Sequence, residues 1–559
     1  MEPKALNNRR SKKFGDKNGG ARNGPKTKCW QIKNIRESKN NSEVAPRKNN
    51  MKNFLLILLT AALLEVSSLV PALCWLALFA FIPVLLAIEN RPVLSTALLG
   101  ALLFFCVALE GCYWIFDVAH YFGGMGMASS LLAVPVFALL NIWQAVAGFA
   151  LFAWLRERLT VRPSILFAVS FVAAWHFIPV IFFWDLSMLL QAWLPFVQSI
   201  DIFGTFGLDC FILFFNYEIF LVWRTRRFSS ATGVAFLLLA ANLGYGTWRM
   251  HALSAQLAAA PTTTVAMIQP NIASEEKRDP NFIPESLNTL IHLTDQAVES
   301  HPDLVVWPES MFPLAFRFDP DLQKTIKSAV QRWQTDLFFG SDDFERSNNK
   351  TISYNSSFLV RPDELSPKQY RKHVLLAFGE TIPLAEQFPW LRDLFPPSIG
   401  DFGRGPGPTI LHGKNYSFNP LICYESTQTD YVRANARLGA DFMVEITNDG
   451  WYFDSSALLY HKNMAALRAI ENRRSLIRTT NTGRTLFIDP LGRETGALPI
   501  QQAGFQVVKV PHWNELTFFN RTGYRLKALG LALLFYFIWK TRFGPKSAGS
   551  TPSAVENNR

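Results

Sequence analysis

The chain has 559 residues, of which 49% are hydrophobic and 18% charged, with a formal net charge of +11. Residues 1–50 hold 14 Lys/Arg against 4 Asp/Glu, so nearly all of the positive surplus lies in one tail. That excludes a uniformly basic nucleic-acid-binding surface, and the length allows more than one domain.

The tail is rich in Gly, Asn and Lys and reads as a disordered cytoplasmic extension. A start at Met51 is an alternative reading of the same stretch. A helix needs about 20 apolar residues to cross a bilayer. Seven such runs precede residue 250, at 53–70, 71–88, 95–110, 127–154, 164–184, 203–223 and 232–249, and an eighth lies at 526–540. The loops at 89–91, 156–162, 224–227 and 540–546 carry Lys or Arg, while the alternate loops are nearly free of them. The positive-inside rule then puts both termini in the cytoplasm. The expected organisation is a tail at 1–50, a seven-helix membrane domain at 51–250, an outward-facing domain at 251–525, a final span at 526–540 and a cytoplasmic tail at 541–559.

Glu65, Glu110, Asp117, His120, His176, Asp185, Asp209 and Glu218 fall in or beside the apolar runs. They form no regular array that would mark an ion path, so pairing inside the bundle or interfacial placement is expected.

The segment 251–525 has the size of an ordinary domain. Short β-branched runs recur in it: TTTVAMIQ, DLVVWPE, DLFFGS, SSFLV, PLICYE, DFMVEIT, SLIRTT, TLFID and FQVVKV. Helical patterns lie between some of them, at 284–300, 321–334 and 457–474. Continuous apolar strands of this kind predict sheets covered on both faces, in an α/β or α+β arrangement.

Three strand ends carry chemistry. VVWPE ends in Glu309, FNPLICYE leads into Cys423, and YRKHVLLAFGE holds Lys372 and Glu380. Singly, each has an ordinary reading: a helix cap, a core thiol, a solvated lysine. The cysteine count shifts the balance. Cys29 is in the tail, Cys74, Cys106, Cys112 and Cys210 lie in or beside spans, and Cys423 is alone in the outward domain. An oxidising compartment favours paired cysteines, and here a disulfide within the domain is excluded. No Cys/His cluster has metal-ligand spacing, so neither metal nor cofactor is expected. An isolated thiol beside acids and a lysine fits a nucleophile.

The set WPE, YRKHVLLAFGE and ICYE resembles the carbon–nitrogen hydrolase (nitrilase) superfamily, and the spans around it resemble the apolipoprotein N-acyltransferase family. MIQPNI, ITNDGWY, HKNMAALRAIENRRSLIRTTNTG and YWIFDVAHYFGGMG match as well. The resemblance covers roughly residues 51–540. It implies a nitrilase-like αββα sandwich beside a polytopic α-helical membrane domain of about eight spans. It implies Glu309 as general base, Lys372 as cationic member and Cys423 as nucleophile, with Glu380, Tyr424 and Glu425 in support. The implied reaction moves an acyl chain from a phospholipid to the α-amine of a diacylglyceryl-cysteine on a lipoprotein, in a bacterial inner membrane. Ala377 and Arg278 depart from the family pattern, which has proline and tryptophan there.

Trp451 and Tyr452 are candidates to line the acyl entrance, with core packing as the alternative. The stretch 388–407 reads either as a loop dipping into headgroups or as a plain Pro/Gly surface loop. A monomer is expected, with no nucleic-acid partner. Two other functions remain open: a membrane-tethered amidase, and a transport or lipid-binding protein with an inactive hydrolase domain.

Overall fold

A computed structural model describes residues 47–543, apart from 183, 274–275, 312, 348–349, 365, 395–399 and 401. The tails and part of the 388–407 stretch therefore lie outside the described residues, as does the side chain of Arg278.

The N-terminal part is helical. Among the described residues, four of its segments are long and apolar enough to cross a membrane by length and composition: Asn50–Leu69, Val93–Gly111, Met127–Arg156 and Ile200–Thr225. Two shorter apolar helical segments, Pro71–Ala87 and Pro163–Phe177, lie among them. The first of these begins as a 3-10 helix with Pro71 in its first turn and becomes α-helical only at Ile82. The helix Ser230–Ala259 leads into the next domain, and Phe518–Phe543 leaves it.

Among the described residues, twelve strands follow: β1 (Thr262–Gln269), β2 (Leu304–Val306), β3 (Asp336–Ser347), β4 (Lys350–Val360), β5 (Lys368–Arg371), β6 (Leu411–His412), β7 (Ser417–Ile422), β8 (Phe442–Thr447), β9 (Leu476–Thr480), β10 (Leu486–Ile488), β11 (Glu494–Thr495) and β12 (Gly504–Pro511). They make two six-stranded sheets, ordered β12-β1-β2-β3-β4-β5 and β11-β10-β9-β8-β7-β6. Each is mixed: β1, β2 and β3 run parallel, as do β7, β8 and β9, and the outer strands pair antiparallel.

The two-residue period of a strand explains the layers. In β1, Val265 and Met267 join Phe418, Phe442 and Ile446 in a core between the sheets. The alternate residues Ala266 and Ile268 pack with Leu290, Ile326 and Val330 of the helices Ile283–Ala297 and Pro320–Trp333. The second sheet is covered by Thr429–Ala436 and Ser456–Asn472, through Val432, Ala465 and Ala469. The result is an αββα sandwich. Ser456–Asn472 has a second partner, since its Tyr460, Met464, Leu467 and Ile470 belong to the core of the helical region.

Candidate active site

The site forms where β2, β5, β7 and β8 end. Parallel strands of one sheet finish on the same side, so groups just beyond them converge.

Cys423 follows β7 directly and opens the 3-10 turn Cys423–Thr427. Its φ is 52°, a left-handed conformation that a non-glycine residue holds only when its surroundings impose it. Glu425 supplies part of that constraint. It is fully buried, and one carboxylate oxygen accepts from Ile422 N at 2.8 Å. The other accepts from His373 N at 2.7 Å and Val374 N at 3.1 Å, and Tyr370 Oη also donates to it at 2.8 Å. One carboxylate thus ties the cysteine turn to the segment just after Lys372.

Glu309 lies three residues past β2. Its Oε1 accepts from Asn355 Nδ2 at 2.7 Å and its Oε2 from Asn448 N at 2.8 Å. Lys277 Nζ holds the Glu309 carbonyl at 3.0 Å. Gly340 of β3 makes room for this backbone, because a Cβ there would stand 2.5 Å from Ser310 N and 2.7 Å from Glu309 Cα.

Lys372 follows β5 and is 2% exposed. Its Nζ is 2.9 Å from Glu380 Oε1 and 3.8 Å from Glu309 Oε1. Asn355 Nδ2 also donates to Glu380 Oε1, at 2.8 Å, which bridges the two carboxylates flanking the lysine. Leu376 N donates to the other Glu380 oxygen at 2.8 Å. Burial works against the Lys372 charge, but Glu380 and then Glu309 outweigh it, so its pKa is raised and the side chain stays an ammonium.

The Cys423 thiol is pushed up from its ordinary value. Burial is the largest cause and the Glu309 charge adds to it, while Lys372 and a hydrogen bond with Thr447 pull the other way. Both leading causes, burial and the Glu309 charge, favour the protonated thiol.

Beneath the thiol lies a buried quartet that the sequence did not single out. Arg478 donates to Glu445, and to Asp449 at 2.7 Å. His461 Nδ1 is 3.1 Å from Asp449 Oδ1, and its Nε2 is 3.3 Å from both Glu445 Oε1 and the Cys423 carbonyl. Burial and Arg478 lower the His461 pKa, but the bonds to Asp449 and Glu445 prevail and raise it. In both acids burial is outweighed, first by Arg478, and their pKa values are lowered.

The remaining expected residues face the helical region. Tyr424 Oη donates to Ile181 O at 2.9 Å. The Tyr452 ring is buried 4.9 Å from that of Trp114, and Trp451, 36% exposed, lies 4.3 Å from Phe122. Phe122 ends the π-helical turn Val118–Phe122, an irregularity frequent at functional sites. Ala377 sits in the turn that positions Glu380, bridged to Thr381. All of Glu309, Lys372, Cys423 and Glu380 therefore meet in one place. Asn355, Asn448, Asp449 and His461 join them. Three of these lie in the ITNDGWY and HKNMAALRAIENRR stretches, whose polar residues between apolar ones were the available signal.

The Carbon-nitrogen hydrolase family profile matches residues 264–511, and that of the Apolipoprotein N-acyltransferase N-terminal domain matches residues 60–217. The apolipoprotein N-acyltransferase of Chlorobaculum tepidum is 31% identical over 523 residues, covering 84% of this chain and 92% of that protein. Those of Bdellovibrio bacteriovorus and Geobacter metallireducens are 31% and 30% identical, covering 82% and 84% of this chain and 88% and 92% of theirs. The chain therefore belongs to the apolipoprotein N-acyltransferase family.

Proposed function

We propose that this protein moves an acyl chain from a phospholipid to the N-terminal amine of a diacylglyceryl-cysteine on a lipoprotein, through a thioester on Cys423. The carrying observation is a buried thiol on a left-handed turn, close enough to Glu309 and Lys372 for both charges to act on it. Cys423 Sγ attacks the ester carbonyl while Glu309 takes the thiol proton. The carbonyl electrons move to oxygen, and Lys372 with the backbone N–H of Tyr424 stabilises that charge. One such donor is worth about 3–4 kcal/mol. Collapse breaks the ester C–O bond, and the lysophospholipid oxygen leaves with the proton from Glu309. In the second half the lipoprotein amine attacks the thioester, Glu309 accepts its proton, and the thiolate leaves and is reprotonated. Glu380 holds Lys372 in place, and Glu425 and Tyr424 hold the cysteine turn. Trp451 and Tyr452 line the acyl entrance.

Both substrates are lipids, which explains a hydrolase-type domain beside an apolar helical region. The charge bias of the loops supports eight spans, both termini inside, and a catalytic domain facing the periplasm of a bacterial inner membrane. The tethered amidase is the competing reading, because the same groups cleave C–N bonds.

Intact mass after incubation with phospholipid, before and after neutral hydroxylamine, separates the two. A hydroxylamine-labile acyl mass that is absent in Cys423→Ala supports transfer. Hydrolysis of short amides without any acyl adduct would replace it with the amidase.

A further inference from the structure

The bundle's polar residues do not all pair with one another in the simple way expected. His176 ends the helix Pro163–Phe177, Asp185 precedes the 3-10 turn Leu186–Leu190, and Asp209 lies within Ile200–Thr225. Each offers a ligand atom, and the three atoms lie within 4.8 Å of one another. Both carboxylates are 1% exposed, and the imidazole is 4% exposed.

Three observations bear on what this cluster holds. First, His176 Nε2 is 3.4 Å from Asp209 Oδ2. A charge-assisted hydrogen bond is shorter, about 2.7–2.9 Å. Two ligands about 2.1 Å from a tetrahedral zinc ion stand about 3.4 Å apart, the spacing of the His176–Asp209 pair, and wider pairs in the cluster, up to 4.8 Å, would have to draw in on the ion. Second, Asp185 Oδ1 is buried without a hydrogen-bond partner, while its Oδ2 takes Arg468 Nη2 at 2.8 Å. A buried carboxylate oxygen with nothing to accept is costly. Third, the cationic partners are shared or distant. Arg468 serves both Asp185 and Glu471, the latter at 3.0 Å. Asp209 accepts from the backbone N–H groups of Leu186 at 3.2 Å and Ser187 at 2.7 Å, which are neutral.

We propose that His176, Asp185 and Asp209 bind a divalent cation of the zinc class at the junction of the helical region and the catalytic domain. One imidazole with two carboxylates is a mixed N/O donor set, suited to zinc better than to calcium or magnesium. The ion adds positive charge beside two buried carboxylates and gives Asp185 Oδ1 a partner. It also braces the molecule. It joins two bundle helices to Asp185, and Asp185 holds Arg468 on the same helix that carries His461 beneath Cys423. The three ligands form no recognisable sequence motif, since positions 176, 185 and 209 converge only in the fold. This inference stands apart from the acyl-transfer reading, and its test does not use activity.

The test uses the full chain in detergent, free of any affinity tag, stripped with a chelator and reloaded with Zn2+ or Co2+ before gel filtration. The expected result is about one metal ion retained per chain, with the visible bands of tetrahedral Co2+ and no thiolate charge transfer. His176→Asn and Asp209→Asn each weaken binding by about tenfold or more. Should either variant fail to fold, the wild-type stoichiometry and Co2+ spectrum still decide. Failure of the wild type to retain metal, a thiolate signature, or unchanged retention in folded variants would overturn the proposal; in the first case protons balance the cluster.

Discussion

Replacing Glu309 with Gln separates two ideas about how the thiol is activated. If the base worked by keeping Cys423 ionised at rest, its loss would make the sulfur less reactive toward everything. The structure predicts the opposite. The Glu309 charge is one of the causes that raise the thiol pKa, second only to burial. Removing it lowers that pKa. Below the pKa, each unit of decrease multiplies the thiolate fraction about tenfold, and the lost basicity costs about threefold in intrinsic nucleophilicity. Alkylation of Cys423 by a small haloacetamide therefore rises about threefold per unit. Acyl transfer falls about 10²–10⁴-fold, the usual worth of a general base. Lys372→Met shifts the thiol the other way, because the ammonium lowers the Cys423 pKa, so alkylation and transfer fall together.

The assay is peptide-level mass spectrometry of Cys423 alkylation at about pH 8, beside transfer to a diacylglyceryl peptide. Gln retains the shape of Glu309 but gives up one acceptor, so either Asn355 or Asn448 N loses a partner. That costs about 1–3 kcal/mol of stability, and the folded fraction is normalised by gel filtration. Slower alkylation in a folded Glu309→Gln would refute the argument, since it would mean the resting enzyme holds a thiolate that depends on Glu309.

Three further outcomes are expected. Asn355→Leu removes the donor shared by Glu309 and Glu380, and steady-state transfer falls with a loss of about 1–3 kcal/mol in transition-state stabilisation. Gly340→Ala drives a methyl into the Glu309–Ser310 backbone, so thermal unfolding shows a loss of about 1–3 kcal/mol and transfer declines with it. The raised His461 pKa fixes a sign for pH. Its contribution to stability is complete below the ordinary histidine value and is lost as pH rises through the folded-state value. Stability of the wild type against unfolding therefore falls toward alkaline pH, and His461→Gln loses that part of the slope.

Much of the sandwich was legible because strands buried on both faces leave continuous β-branched runs. All nine runs became strands, whereas β5, β6 and β11 were missed, being two to four residues long. Glu309 and Cys423 were legible because each lies within three residues of the end of an apolar run that became a strand, whereas Lys372 follows the short β5 and was legible only through the resemblance carried by YRKHVLLAFGE. Asn355 was not: it sits in the middle of β4, where a polar residue reads as solvent-facing, and only the sheet's twist and pairing bring it between two carboxylates.

The helix Ser456–Asn472 shows why the rest was hidden. Its sequence, SALLYHKNMAALRAIEN, has the charged face that normally points to water, yet every residue from Tyr460 to Asn472 is buried. One side lies on the second sheet and the other on the helical region, so its charges find partners that sequence spacing does not reveal. His461 meets Asp449 and Glu445, and Arg468 meets Asp185 with both side chains at 0% exposure. A buried pair of this kind contributes little compared with an apolar replacement, but breaking it strands a charge. Arg468→Met should therefore cost about 3–5 kcal/mol in detergent unfolding of the chelator-stripped chain, and adding Asp185→Asn and Glu471→Gln should recover much of that loss. If the triple variant is no more stable than the single one, the ion pairs are not where the cost lies, and the helix is held by its apolar contacts alone.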